Sequence, residues 1–166
     1  SKAYFNMSEA RFNNDDLNGA LVEINRSINL NPYNANAYNL RGLIEYQIGN
    51  IDEALINFTK AITLNPNNKL FYINRTKILK DKNLNIKLSN DYDKILELDS
   101  NLNYILLERG ILNIKLLKYK QALSDLSRYL ASAKNDLLAY RNRGILHLNQ
   151  GNFELACLDF DKSLKL

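Results

Sequence analysis

Four arginines recur at intervals of 34 residues, and their spacing is the first feature of the chain that suggests chemistry. They are Arg41, Arg75, Arg109 and Arg143. Sixteen residues after each arginine stands a polar residue; in chain order these are Asn57, Asp91, Asp125 and Asp159. A row of guanidinium groups could grip phosphates or carboxylates. Because carboxylates recur at one matched offset, we predict instead a ladder of internal ion pairs that joins two helices.

The only histidine and the only cysteine, His147 and Cys157, are the other candidates for chemistry. A nucleophile needs a base that is held in place, and the sequence implies no third group to orient this pair. We predict that His147 is a packing or hydrogen-bonded residue and that Cys157 is a small buried hydrophobe. Metal-ligand spacing and phosphate-binding glycine loops do not occur. The sequence therefore predicts no enzyme activity, no metal and no cofactor.

A repeated pair of helices must position these residues. With Ser1 as the first position, we divide a single repeat domain, 1–166, into the frames 1–34, 35–68, 69–102, 103–136 and 137–166. In the second repeat, Gly49 supplies the left-handed residue that ends one helix, Asn50 caps the next, and Pro66 stops it. A period of this length indicates a solenoid, in which each repeat buries its apolar face against its neighbours.

The small and apolar residues of each repeat resemble the pattern of the tetratricopeptide repeat family. In the second repeat they are Gly42, Ala54, Phe58, Ala61 and Pro66. The match spans essentially the whole chain in one register. This resemblance implies an all-α fold, a right-handed superhelical solenoid of antiparallel helix pairs whose first helices line a concave groove. It also implies a non-catalytic scaffold or adaptor that binds a peptide or an amphipathic helix of a partner protein.

The family lines its groove with fixed positions of each first helix. Carried over to this chain, the predicted contact residues are Leu43, Tyr46, Leu70, Ile73, Lys77, Tyr104, Leu107, Ile111, Arg141 and Ile145. An apolar patch on a solvated helix face marks an interaction site, so we expect an apolar or amphipathic segment as the occupant. The alternative is that these side chains pack between first helices; deep burial of Ile73, Leu107, Ile111 and Ile145 together would favour it.

Chaperone-binding members of the family grip a C-terminal carboxylate with a clamp of Lys, Asn, Asn, Lys and Arg. None of the three possible sets of groove positions in this chain supplies that clamp. The last set, for example, holds Ile73, Lys77, Glu108, Leu138 and Asn142. The resemblance therefore argues against recognition of chaperone tails.

The third to fifth repeats are each positively charged and the first two are each −1, which together give the net charge of +4. Such a field could attract phosphates, and the tyrosines could stack bases. However, the lysines are scattered over turns and helices among acidic residues, and no base-reading polar pair recurs. An RNA-binding helical repeat is therefore the less favoured alternative to a protein-binding scaffold.

The last helix suggests a second alternative, a self-associating module. Four leucines there could leave an apolar edge open to a second copy: Leu155, Leu158, Leu164 and Leu166. No apolar run reaches the roughly 18 residues that a membrane span needs. A single cysteine is typical of a reducing compartment, which favours the cytoplasm. The chain begins at Ser1, as a mature product or an excised segment would.

Overall fold

The computed structural model describes all 166 residues, and its regular elements are all α-helices. In chain order they are α1 (Lys2–Asn13), α2 (Leu17–Leu30), α3 (Ala35–Ile48), α4 (Ile51–Leu64), α5 (Lys69–Asp81), α6 (Asn85–Leu98), α7 (Asn103–Lys115), α8 (Tyr119–Ser132), α9 (Leu137–Asn149) and α10 (Phe153–Leu164). Each predicted repeat contains one odd-numbered first helix and one even-numbered second helix. The all-α prediction of paired helices is confirmed.

Several of these helices start at a residue whose polar side chain caps the helix. The first backbone N–H groups of a helix lack partners within it, and the side chain accepts hydrogen bonds from them. The Asn34 side chain accepts from the N–H groups of Asn36 and Ala37 at the start of α3. Asn68 begins α5 in the same way. Gly49 ends α3 with φ of 99°, as predicted.

The prediction for Asn50 is wrong in its mechanism. Asn50 precedes α4, but its side chain makes no capping hydrogen bond to that helix. Its Nδ2 donates instead to Oε2 of Glu45 at 2.7 Å. The Asn50 side chain therefore binds the buried Glu45 carboxylate and does not cap the start of α4.

The chain divides into two compact units, Ser1–Leu84 and Asn85–Leu166. In the first unit, α1 packs on α2, α2 on α3, α3 on α4 and α4 on α5. Two apolar clusters form its core. One joins α2 to α3 through Ala20, Ile24, Ile28, Ala37, Leu40 and Ile44. The other joins α4 to α5 through Ala54, Phe58 and Ile78.

In the second unit, α6 packs on α7, α7 on α8, α8 on α9 and α9 on α10. Its cluster joins α8 to α9 through Ala122, Leu126, Leu130, Ala139 and Leu146. The boundary between the compact units falls between α5 and α6, inside the predicted third repeat. The single repeat domain over 1–166 stays a prediction.

Glycine is required where the two helices of a repeat approach closely. A Cβ on Gly42 would lie 2.7 Å from Cδ1 and Cε1 of Phe58, and one on Gly144 would lie 2.8 Å from Cε1 of Phe160. A Cβ on Gly110 would meet Leu126 at 3.0 Å. The small residues of the repeat pattern are therefore set by helix packing.

The helices differ from membrane-spanning helices in length and composition. None of the ten helices combines the length and the apolar composition that crossing a membrane requires.

We expect Gly42→Ala to destabilise the fold. Phe58 is buried and would have to shift away from the new Cβ, so the added methyl overpacks the crossing of α3 and α4. Overpacking costs about 1 to 3 kcal/mol, against about 1 kcal/mol gained from the helix propensity of Ala. Urea denaturation should show a lower free energy of unfolding. The exposed Asn90→Ala serves as the control, and equal stability of both variants would contradict the packing argument.

Candidate partner-binding site

The arginine ladder is a set of internal contacts between helices. In the first compact unit, Nε of Arg41 donates to Oδ1 of Asn57 at 2.7 Å and its Nη1 donates to Oδ1 of Asn25 at 3.1 Å. Nη1 of Arg75 donates to Oγ1 of Thr59 at 3.1 Å. The guanidinium groups of this unit are therefore engaged by α2 and α4.

The second compact unit repeats the arrangement with carboxylates. Arg109 makes a bidentate pair with Asp125, from Nε at 2.8 Å and from Nη2 at 2.6 Å. Its Nη1 donates to Asp93 at 2.8 Å. Arg143 makes the same bidentate pair with Asp159, at 2.7 and 2.6 Å. The two ion pairs predicted within this unit are confirmed.

Arg75 and Asp91 belong to different compact units, so their pairing stays a prediction. A second set of acceptors, which was not predicted from the sequence, stands sixteen residues before each arginine. They are Asn25, Thr59, Asp93 and Ser127. The missed signal was the recurrence of side-chain oxygens at that offset, one repeat before each arginine.

Electrostatics agree with a structural role for these arginines. Burial lowers the pKa of Arg109, but its hydrogen bonds and charge interactions with Asp125 and Asp93 outweigh burial, so the pKa is raised overall. The hydrogen bonds that Arg143 donates to Asp159 raise the pKa of Arg143 despite burial. Both groups therefore stay charged within the folded protein, and their donors face internal acceptors instead of a ligand.

His147 and Cys157 make no hydrogen bond to each other. Nε2 of His147 lies 4.0 Å from Oδ2 of Asp159, and its buried Nδ1 has no hydrogen-bond partner. Cys157 is exposed, so its predicted burial is wrong. The physical reason is that this face of α10 carries no neighbouring helix. The structure contains no group of three or more His, Cys, Asp or Glu side chains placed to hold a metal ion.

Five predicted contact residues lie in the first compact unit. Leu43 and Tyr46 on α3 are partly buried against the cluster that contains Phe58. On α5, Leu70 and Lys77 are exposed and Ile73 is half-buried. The two helices are tied together where Nδ2 of Asn74 donates to Oδ1 of Asn39 at 2.9 Å. We call these five residues the α3–α5 face.

The other five predicted contact residues lie in the second compact unit. Tyr104 on α7 is exposed, as are Arg141 and Ile145 on α9. Leu107 and Ile111 on α7 are half-buried, and Leu107 packs against the cluster that contains Leu146 of α9. The joint deep burial that would have favoured packing between first helices is therefore not observed. We call these five residues the α7–α9 face.

Glu108 lies beside this face on α7 and has a partner of its own. The hydroxyl of Tyr92 donates to Oε2 of Glu108 at 3.4 Å. Burial first, and then the Glu108 carboxylate, raise the pKa of Tyr92 well above its usual value. A separate surface pocket is lined by Gly151, Asn152, Phe153, Glu154 and Leu155, none of which belongs to the predicted contact set.

We expect Arg109→Ala to destabilise the fold more than it weakens partner binding. The Asp125 side chain is 3% exposed, so the change leaves a buried carboxylate without its cation. Such a loss costs about 3 to 5 kcal/mol, whereas replacing both partners with apolar residues restores much of it. Urea denaturation of Arg109→Ala and of Arg109→Met with Asp125→Leu measures both effects.

The exposed Lys120→Ala is the control and should change the free energy of unfolding by less than about 0.5 kcal/mol. Unchanged stability of Arg109→Ala, with loss of partner affinity, would contradict the structural role of Arg109.

Comparisons with known proteins identify the repeat family. Two tetratricopeptide repeat models match residues 35–68 and 107–166. A search of curated proteins gives no match. Among solved structures, the chain is similar to MamA (TM-score 0.80, 15% identity, covering 99% of this chain and 90% of that one). It is similar to YrrB, described as a TPR protein with an unusual peptide-binding site (TM-score 0.84, 20% identity, 98% and 84%). It also resembles a tetratricopeptide repeat protein from Parabacteroides merdae ATCC 43184 (TM-score 0.78, 24% identity, covering 99% of this chain and 65% of that one). The chain belongs to the tetratricopeptide repeat family.

Proposed function

We propose that this protein is a non-catalytic scaffold that binds an apolar peptide or an amphipathic helix of a partner protein on its first helices. The observation that carries the proposal is an exposed apolar stripe on α9. Leu138, Ile145 and Leu148 are 49%, 37% and 46% exposed. With Arg141 they follow helical spacing on one side of α9. A helix side that faced only water would be polar, so this stripe favours a partner surface.

The α7–α9 face extends this stripe onto a second helix of the same compact unit. Tyr104 is exposed on α7, with Leu107 and Ile111 half-buried below it. Covering a half-exposed Leu or Ile contributes about 1 kcal/mol, so several such side chains together supply a useful affinity. The exposed Arg141 would pair with a carboxylate at the edge of the occupant.

The α3–α5 face is proposed to bind in the same manner, with Leu70 as its most exposed apolar member and Lys77 as its charge. The description of YrrB as a protein with a peptide-binding site supports peptide recognition for this chain. The arginine ladder supports the same assignment. Its guanidinium groups already bind side chains of the second helices, so the exposed sides of the first helices are the surface that a partner can bind.

The test is selection of ligands from a random-peptide display library, followed by affinity measurement on variants. Ile145→Asp places a charge in the exposed stripe without entering the core. We expect it to weaken the selected peptides at least about tenfold, a loss of about 1.4 kcal/mol. Ile56→Asp, at an exposed position on α4, is the matched control and should bind normally. Loss of binding in Ile56→Asp but not in Ile145→Asp would overturn the proposal.

Self-association is the second candidate, and the exposed leucines of α10 and of the residues after it favour it. Leu155, Leu158, Leu164 and Leu166 are all exposed, as the sequence predicted. If copies pair through these leucines, Leu158→Lys, at a side chain that is 61% exposed, should abolish oligomers and leave peptide binding unchanged. Sedimentation equilibrium over a wide concentration range measures this. A protein that stays monomeric at high concentration would remove the homodimer from consideration.

A further inference from the structure

One residue in the turn after each first helix has a left-handed backbone conformation in every repeat. Its N–H donates to the carbonyl three residues earlier, and the N–H of the next residue donates to the carbonyl five residues earlier. Gly, Asn and Asp adopt this conformation readily. In chain order the residues are Asp15, Gly49, Asn83, Leu117 and Gly151, with φ of 62°, 99°, 53°, 58° and 76°. Leu117 is therefore the exception.

Nothing in the fold requires a leucine at this place. A Cβ makes the left-handed conformation unfavourable, and burial does not compensate, because Leu117 is 70% exposed. The turn is nevertheless fixed by hydrogen bonds. The N–H of Leu117 donates to the carbonyl of Ile114 at 3.1 Å, and the N–H of Lys118 donates to the carbonyl of Asn113 at 2.8 Å. An unfavourable residue held at a fixed, exposed place indicates a role outside the fold.

Three lysines surround Leu117 in the sequence. Lys115, Lys118 and Lys120 are all exposed. No other repeat has a lysine at any of these three positions, and residues 109–124 contain no Asp or Glu. The stem of a lysine is apolar and its amine is charged, so a lysine can lie beside an apolar side chain and still bind an anion. This turn therefore combines an exposed apolar tip with a wholly positive local charge.

A second exposed apolar side chain lies beside the turn. Nζ of Lys118 donates to Oγ of Ser89 at 3.5 Å, which brings the turn next to the beginning of α6. Ile86 lies one helical turn before Ser89 and is 73% exposed. We give the name basic–apolar surface to five residues of the second compact unit: Ile86, Lys115, Leu117, Lys118 and Lys120.

The composition of the basic–apolar surface matches an anionic lipid surface. Acidic headgroups attract lysines, and apolar side chains gain free energy by entering the boundary between headgroups and acyl chains. RNA would bind the lysines but leave Leu117 in water. A protein partner would need a cavity shaped for the protruding Leu117, whereas a fluid lipid surface needs none. The surface lies at helix ends, so repeats that stack through the sides of their helices do not cover it.

We propose that the basic–apolar surface docks this protein onto membranes that contain anionic lipid. The Leu117 side chain enters the headgroup region, and the three lysines bind the acidic groups of the lipids. Such binding is peripheral and reversible, because a few lysines and apolar side chains supply only a modest affinity. The surface shares no residue with the α7–α9 face, so lipid binding and peptide binding can be tested separately.

Leu117→Trp tests the insertion directly, because the chain contains no tryptophan. Its fluorescence is measured with vesicles of phosphatidylcholine alone and with vesicles of phosphatidylcholine and phosphatidylserine in equal amounts. The emission should shift to shorter wavelength on the mixed vesicles only, because the indole then lies at the membrane interface. Ile56→Trp, at a 59% exposed position on α4, is the matched control and should show no shift.

Flotation with the mixed vesicles measures how each substitution changes the partition coefficient. Leu117→Asn should lower it about 5- to 30-fold, the effect of withdrawing one leucine from an apolar environment. The same variant should melt about 2 to 4 °C higher, because Asn suits the left-handed turn, and should bind the display-selected peptides normally. Lys115→Gln should lower the partition coefficient about fivefold.

The matched controls are Ile56→Asn and Lys60→Gln, both at exposed positions on α4, and both should float as the unchanged protein does. Three results would overturn the proposal. The first is no flotation with the mixed vesicles. The second is equal flotation of Leu117→Asn and the unchanged protein, which would show attraction by charge alone. The third is binding of RNA or of a selected peptide that depends on Leu117 without any vesicle binding, which would assign the surface to another class of partner.

Discussion

The fold depends on guanidinium groups, of which those of Arg41, Arg109 and Arg143 each bind two second helices at once. Arg109 shows the arrangement: two of its nitrogens bind Asp125 of its own repeat and a third binds Asp93 of the preceding repeat. Only arginine offers donors in a rigid fork that can serve two acceptors in this way. A bridge of this kind fixes the spacing within a repeat and between neighbouring repeats together.

Aromatic rings add to this arrangement in three of the four cases. The guanidinium carbons of Arg41, Arg75 and Arg143 lie 5.3, 5.9 and 5.7 Å from the ring centroids of Tyr38, Tyr72 and Tyr140. These distances are within the range of cation–π attraction. The arginines bind neighbouring helices, so another side of each first helix stays free of these contacts. On α9, for example, Ile145 is exposed and Leu146 is buried.

Much of the fold could be predicted from the sequence, because the repeat encodes it locally. Gly42 is required because a side chain there would meet Phe58 of the same repeat. The Arg109–Asp125 pair follows from a fixed spacing within one repeat. The second acceptor, Asp93, was missed because it belongs to the preceding repeat. The exposure of Cys157 was missed because burial on a second helix depends on a neighbouring helix that its own sequence does not reveal. Which exposed faces bind partners depends on molecules outside the chain, so those faces remain proposals.

Hydrogen exchange at the arginine side chains tests the central claim most directly. Nε of Arg41, Arg109 and Arg143 donates to a side-chain oxygen of the second helix in its own repeat. In a nitrogen-15 NMR experiment, the Nε–H protons of these residues should exchange slowly with water, while those of the exposed Arg128 and Arg141 exchange rapidly. Equally rapid exchange at all of these arginines would contradict the account.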